Sequence, residues 1–230
     1  MPDGRSLLSR LVRRGVAGQL VLAVVLFIPA GSLKFWQAWA FMALNIISSF
    51  VFCAYFYKHD PQLLERRLLR KEKVKAQRII MRFAKLLYVP IFILPGLDYR
   101  FGWSRAFLGP VPWWLTLPAL LLIPGCYLLF VEVMKANRFA ASIIQVEAGQ
   151  TVTDAGPYHI VRHPMYLGGL GLWFTAPLAL GSYVALPAFA LAAPITIFRL
   201  LNEEKFLHRE LPGYSEYCQR TRYRLIPFVW

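Results

Sequence analysis

Carboxylates are scarce in this chain, with 12 Asp and Glu against 26 Lys and Arg and a net charge of +14. The imbalance excludes an acidic, cation-collecting surface. It would suit nucleic acid, yet the basic residues lie along short segments beside apolar runs, and no soluble domain with a nucleic-acid motif is present. Anionic lipid headgroups are the expected counter-charge, and no nucleic-acid partner is expected. Cysteine is equally sparse. Cys53 and Cys126 fall in apolar runs, Cys218 lies near the end, and no pair has zinc spacing, so neither a disulfide framework nor a zinc finger is predicted. His159 and His163 are four apart, but Pro164 interrupts that segment and no Glu lies between them, which argues against a helix-borne metalloprotease site; no metal is expected. A phosphate-binding glycine loop, a Gly-x-Ser-x-Gly turn and internal repeats are all missing. Gly168-Gly169-x-Gly171 falls inside an apolar run, where small residues permit close helix packing.

Hydrophobic residues make up 57% of the chain and concentrate in uncharged runs: Gly15 to Leu33, Phe35 to Tyr57, Leu86 to Leu97, Ala106 to Val131 and Met165 to Phe198. The second and fourth reach spanning length, and the first is at the border. The third reaches it only if it begins near Ile79 and carries Arg82 and Lys85 at its rim. The first run is read as a retained helix and not a cleaved signal, because Ala30-Gly31-Ser32 is followed by Lys34 and a further span. The last run is too long for one crossing: at about 1.5 Å per residue it would extend roughly 50 Å, against a hydrocarbon core of about 30 Å. It is predicted to fold back at Gly181-Ser182, leaving two arms of about 16 residues.

These runs predict an all-α polytopic membrane helix bundle of about six spans, five at the fewest, ending in a helical hairpin flanked by polar cytosolic segments. Residues 1–230 form a single integral membrane domain, with N-terminal helices over 1–134 and a functional core over 135–230. With six crossings, all but Lys34, Arg100 and Arg105 of the basic residues fall on one side, the asymmetry of cytoplasmic loops. Both termini and the functional site are therefore expected at the cytosolic leaflet. Within the basic loop near 58–85, Asp60 is placed to cap a helix that starts at Pro61. Leu64 and Leu68, one turn apart, predict an amphipathic helix on the membrane surface, with a solvated basic loop as the alternative.

The candidate site lies where charge meets this hairpin. Tyr158, His159, Arg162, His163 and Tyr166 crowd against its start, and Arg199, Glu203, Glu204, Lys205 and His208 follow its end. If the run doubles back, the two clusters meet. Plain readings exist for each residue: Arg162 snorkelling to phosphate, Tyr158 and Tyr166 as interfacial aromatics, His163 bracing the turn, a glutamate paired with Lys205 or Arg209. The closing segment from Tyr214 to Trp230 reads as a structural tail folded onto the membrane face, or a lid.

Gly156-Pro157-Tyr158, Arg162-His163-Pro164-x-Tyr166-x-Gly168, the hairpin, Arg199-(x)3-Glu203-Glu204 and Gly213-(x)3-Tyr217 together resemble the isoprenylcysteine carboxyl methyltransferase family. More loosely they resemble the related phospholipid N-methyltransferases and thiol methyltransferases. The likeness covers roughly residues 135 to 230. It implies an S-adenosylmethionine-dependent methyltransferase acting on a lipophilic acceptor, with carboxyl O-methylation of an isoprenylcysteine-like or isoprenoid substrate foremost and phospholipid N- or thiol S-methylation as alternatives. Carried over position by position, it assigns Tyr158, Val161, Arg162, His163, Tyr166 and Leu167 to the cofactor, together with Gln145 upstream. It makes Arg199, Glu203 and Glu204 the catalytic residues, Glu203 and Glu204 through polar contacts with the donor and Arg199 by holding an acceptor carboxylate or the donor near the reaction centre. A longer acidic run would be expected where Arg199-Leu200-Leu201-Asn202 stands. The residue types agree, since S-adenosylmethionine presents a carboxylate, an ammonium, ribose hydroxyls and an adenine. Two other classes stay open: an NADPH-dependent sterol-type reductase, which should need more spans, and a transporter or lipid-binding scaffold, which the lack of ionisable groups at mid-span disfavours.

Overall fold

The computed structural model describes residues 4–68, 90–139, 146 and 149–230; the side chains of 4–6 and 192 are not among them. The protein is an all-α polytopic membrane bundle, with no strand among the described residues. Its elements are α1 (Gly4–Ala30), α2 (Trp36–His59), α3 (Pro61–Leu68), α4 (90–101), α5 (Trp103–Phe107), α6 (Trp113–Ala136), α7 (Pro157–Ile160), α8 (Pro164–Ala179), α9 (Leu186–Ala190), α10 (Ala192–Glu210) and α11 (Tyr214–Arg220). Four helical stretches among the described residues are long and apolar enough to cross a membrane: Leu7–Ala30, Trp36–His59, Trp113–Ala136 and Leu186–Glu210. The proposed start of the third run, 79–89, lies outside the described residues, and 90–101 is helical.

Two boundaries differ from expectation for local reasons. Helix α1 begins at Gly4, so the basic residues Arg5 to Arg14 ride on the spanning helix itself, where Arg10 pairs with Glu65 at 2.9 Å. Helix α6 begins at Trp113, since Gly109-Pro110-Val111-Pro112 cannot continue the helix from Ala106. Asp60 does cap α3, its Oδ1 accepting the Leu63 N–H at 3.1 Å. Its apolar side packs inward: Leu63 and Leu64 are buried with Phe56 and Met134, which fastens it to the ends of α2 and α6. The rest of that loop lies outside the described residues.

The long C-terminal run folds back as its length demands. Helix α8 ends at Ala179, Gly181 takes a left-handed φ of 70°, and the chain returns through α9 and α10. Helix α8 lies directly on α6. A Cβ on Gly168 would stand 2.5 Å from the Phe130 ring, so the approach requires glycine there. One apolar core, including Leu26, Phe41, Phe92, Ile123, Ala179 and Phe189, joins α1, α2, α4, α6, α8 and α9. Outward faces carry Ile28, Phe50, Leu121 and Phe198 exposed, as a lipid-facing surface would.

The two ends of the bundle differ in chemistry. At the hairpin turn, buried Asp98 accepts hydrogen bonds from the Ser104 N–H at 2.7 Å and from the Ser104 and Ser182 hydroxyls. Ser104 Oγ in turn accepts the N–H groups of Tyr183 (2.8 Å) and Val184 (3.1 Å), so α4, α5 and the turn form one polar knot. Exposed Trp36, Trp39, Trp113 and Trp114 flank α2 and α6 at their starts, in the manner of an interfacial aromatic belt. The opposite end gathers α3, α7, the start of α8, the end of α10 and the tail, and there the candidate site forms.

Candidate active site

Pro164 occupies the first position of α8 and leaves His163 just outside the helix, with Tyr166 one turn in. Helix α10 returns Arg199, Glu203 and Glu204 to the same place, Arg199 and Glu203 being four apart on one helical face. His163 Nε2 lies 3.2 Å from Glu204 Oε1. Arg162 Nη1 reaches the same oxygen at 2.9 Å, and Arg224 Nε donates to Oε2 at 2.8 Å. Glu204 is 5% exposed and His163 4%. A carboxylate removed from water to that degree needs charged or hydrogen-bonding partners, and two guanidiniums and an imidazole converge on it.

Two of those partners are positioned by the tail. The backbone N–H groups of Arg162 and His163 donate to the carbonyls of Tyr223 (2.8 Å) and Arg224 (3.0 Å). Arg162 Nη2 also donates to the Arg222 carbonyl at 3.2 Å. The Arg224 guanidinium sits 5.2 Å over the Trp230 ring, while the Trp230 carbonyl accepts the N–H groups of Arg224, Leu225 and Ile226. Tyr217 Oη and Thr221 Oγ1 hold the Tyr158 carbonyl at 2.8 and 3.3 Å. The tail is thus part of the wall around Glu204.

A second cluster sits one helical turn deeper. Tyr166 Oη donates to Glu203 Oε2 and accepts from Arg199 Nε at 3.0 Å, and its ring meets His163 edge to face at 5.8 Å. Arg67, from α3, points to the same region, with Nη2 3.9 Å from Met165 Sδ. Burial pulls the Arg67 guanidinium below its ordinary value, with Tyr158 opposing and Arg199 reinforcing that shift. Tyr158 Oη accepts from Asn137 Nδ2 at 3.3 Å, and burial pushes its phenol up to about 12.

The fold therefore brings together Tyr158, Arg162, His163, Tyr166, Arg199, Glu203 and Glu204. Val161 is buried beside them, Leu167 is half-buried on α8, and Gln145 lies outside the described residues. Glu204 is engaged by Arg162, His163 and Arg224, whereas the sequence alternative was Lys205 or Arg209. Sequence reasoning missed Arg67 and Asn137, and placed Tyr214 and Arg224 in a structural tail or lid without assigning them a contact. The signal for Arg224 was a basic tail ending in an aromatic next to a short supply of carboxylates; Arg67 reads as one more headgroup contact and had no distinguishing mark.

Buried polar atoms at the site that lack a hydrogen-bond partner include Arg162 Nε and Tyr214 Oη. Burial, with Cys218, Glu204 and Glu203 nearby, holds the Tyr214 phenol well above its ordinary value. Buried polar groups are nearly always satisfied, so a guanidinium and a phenol of this kind beside Glu204 match a polar ligand with acceptor atoms. Among the described residues, no group of three or more His, Cys, Asp and Glu is arranged to hold a metal ion.

Residues 113–212, from α6 through α10, match the sequence model of the phospholipid methyltransferase family. The chain is 39% identical over 140 residues to the cobalt-zinc-cadmium resistance protein CzcN of Cupriavidus metallidurans, a match covering 58% of each chain. It is 31% identical over 90 residues to the mouse Delta(14)-sterol reductase TM7SF2, covering 38% of this chain and 22% of that one. The chain spans less than two thirds of the length of either relative.

Proposed function

We propose that this protein is a membrane methyltransferase that uses S-adenosylmethionine to methylate a lipophilic acceptor, with the site at the cytosolic leaflet. The observation that carries the reading is the convergence of Arg162, His163 and Glu204, within the segment 113–212 that matches a phospholipid methyltransferase model, with Arg224 from the tail beyond it and the unsatisfied Arg162 Nε and Tyr214 Oη at the same site. S-adenosylmethionine supplies an electrophilic methyl on a sulfonium, so the protein's share of the work is alignment and exclusion of water. Arg162 Nε and Tyr214 Oη are the donors suited to the ligand's carboxylate, ribose or adenine acceptors. Glu203 and Glu204 are suited to its hydroxyls and ammonium, with Tyr158, Val161 and Leu167 as walls.

For the acceptor, the neighbourhood of Arg199 and Arg67 supports an anionic group such as the carboxylate of an isoprenoid or isoprenylcysteine-like molecule. A carboxylate attacks without losing a proton and so needs no general base. A lipid amine enters as an ammonium, which two nearby guanidiniums disfavour. The family match supports the amine as the competing acceptor, and the likeness to a sterol reductase supports a competing NADPH-binding reading.

Calorimetric titration of the detergent-purified protein with S-adenosylhomocysteine and, separately, NADPH decides among these. Micromolar binding of S-adenosylhomocysteine is expected, weakened roughly three- to tenfold in Tyr214→Phe. That substitution removes an oxygen with no partner in the fold, so thermal stability should not fall with it. Binding of NADPH alone moves the protein to the reductases. Radiolabelled methyl transfer to N-acetyl-farnesylcysteine, set against phosphatidylethanolamine, separates the two acceptors.

A further inference from the structure

On a different side of α3 from Arg67, a cleft of about 610 Å³ opens between the end of α2, the start of α3 and the end of α6. Tyr55, Met134 and Phe139 give it apolar and aromatic walls, and Arg66, Lys135 and Arg138 supply cations. Two of these cations are held in place. Arg66 Nη1 donates to the Arg138 carbonyl at 2.6 Å, and its guanidinium lies 5.7 Å over the Phe139 ring. Lys135 Nζ stands 5.8 Å over the Tyr55 ring. The carboxylate among the lining residues, Asp60, accepts the Leu63 N–H through Oδ1. The C-termini of α2 and α6 add about half a negative charge each, which three cations outweigh.

We infer that this cleft is a seat for an anionic phospholipid, with the phosphate ester bound by Arg66, Lys135 and Arg138 and the glycerol and upper acyl chain against Tyr55, Met134 and Phe139. The shared chemistry is a phosphate anion. The source is a lipid because the cleft is far larger than a phosphate ion and sits at the ends of α2 and α6, whose outer faces carry exposed Phe50 and Val51, and Leu121 and Leu128. Lys135 pairs with Glu132 at 2.8 Å, but that carboxylate is 57% exposed, and an exposed pair of this kind is weak enough to exchange for a lipid phosphate. The site is separate from the Glu204 cluster and does not rest on the methyl-transfer reading.

The test is native mass spectrometry of the delipidated full-length protein with dioleoylphosphatidylglycerol or dioleoylphosphatidylcholine added at equal concentration. Phosphatidylglycerol should be retained about fivefold more tightly, and Lys135→Ala with Arg138→Ala should reduce that retention roughly tenfold. The single variant Lys135→Ala, at an exposed position, should give part of the loss with an unchanged melting temperature. Glu132→Gln should hold phosphatidylglycerol at least as well as the parent. Equal retention of the two lipids, or variants indistinguishable from the parent, overturns the seat. Displacement of phosphatidylglycerol by 10 mM inorganic phosphate overturns the lipid assignment.

Discussion

His163 and Glu204 are 41 residues apart in sequence and meet at 3.2 Å, both almost wholly buried, with Arg162 and Arg224 completing the shell around the carboxylate. The contact exists because the apolar insert between them doubles back at Gly181 and returns its far end to its start. A displacement of either arm by one turn, about 5.4 Å, would leave a buried carboxylate facing a buried arginine with no bond between them.

Glu204→Gln keeps the volume and removes the charge that compensates Arg162 and Arg224. Breaking a buried pair on one side costs about 3–5 kcal/mol, so the melting temperature in detergent should drop clearly. S-adenosylhomocysteine binding should weaken more than about tenfold, beyond what one lost charge-assisted hydrogen bond would cost. Glu210→Gln, at an exposed position on the same helix, is the control and should change neither. An unchanged melting curve for the Glu204 variant would remove the carboxylate from the centre of the site.

Trp230→Ala takes away the ring beneath the Arg224 guanidinium without touching Glu204. Such a contact contributes about 0.5–1 kcal/mol when exposed and more when desolvated, so donor affinity should fall about two- to fivefold. Arg224→Ala should fall further. Equal affinity in all three proteins would return the tail to a merely structural role.

Asp98→Ala, at the other end of the bundle, deprives the Ser104 N–H and the Ser104 and Ser182 hydroxyls of their acceptor. Each buried donor left unsatisfied costs about 1–3 kcal/mol, so thermal stability should fall while S-adenosylhomocysteine affinity in the folded fraction changes little. A large loss of affinity at full stability would mean that the two ends of the hairpin are coupled.

Tyr158 holds its proton more tightly when folded, at about 12 against an ordinary phenol value near 10. Its neutral form therefore contributes stability that is complete below pH 10 and is lost as pH rises from about 10 to 12. Burial raises Tyr214 and Tyr217 in the same direction. Ultraviolet titration should show phenolate appearing late in the folded protein. Tyr158→Phe should flatten the fall of stability in that window by about one proton's worth, near 1.4 kcal/mol per pH unit.

Gly168→Ala drives a methyl into the Phe130 ring. Overpacking of this kind costs about 1–3 kcal/mol, readable as a lower melting temperature. Pairing it with Phe130→Leu should recover part of the loss; no recovery would mean that the α6–α8 contact is not the source.

Much of the architecture could be read from the chain because length and punctuation constrain it. A run from Met165 to Phe198 exceeds one crossing, Gly181 offers the turn, and Pro157, Pro164 and Gly213 mark where helices start and stop. Once the hairpin is accepted, the meeting of His163 with Glu204 follows. Periodicity could not say that α3 packs inward through Leu63 and Leu64, since an amphipathic helix looks the same against lipid as against α2 and α6. Nor could it pick Asp98 out of a short loop, because its three donors come from Ser104 and from Ser182, 84 positions away.

By itself, then, the order of residues determined an all-α bundle, its hairpin and the local cluster at each hairpin end, since these depend on hydrophobic length, proline and glycine, and near-neighbour spacing. Tertiary structure alone decided which cations neutralise Glu204, that the tail through Arg224 and Trp230 walls the site, and that Arg66 lines the cleft at the end of α2 while its neighbour Arg67 turns to Met165. Those outcomes depend on which distant side chains share a space too dry to leave a charge alone, and chain spacing carries no record of that.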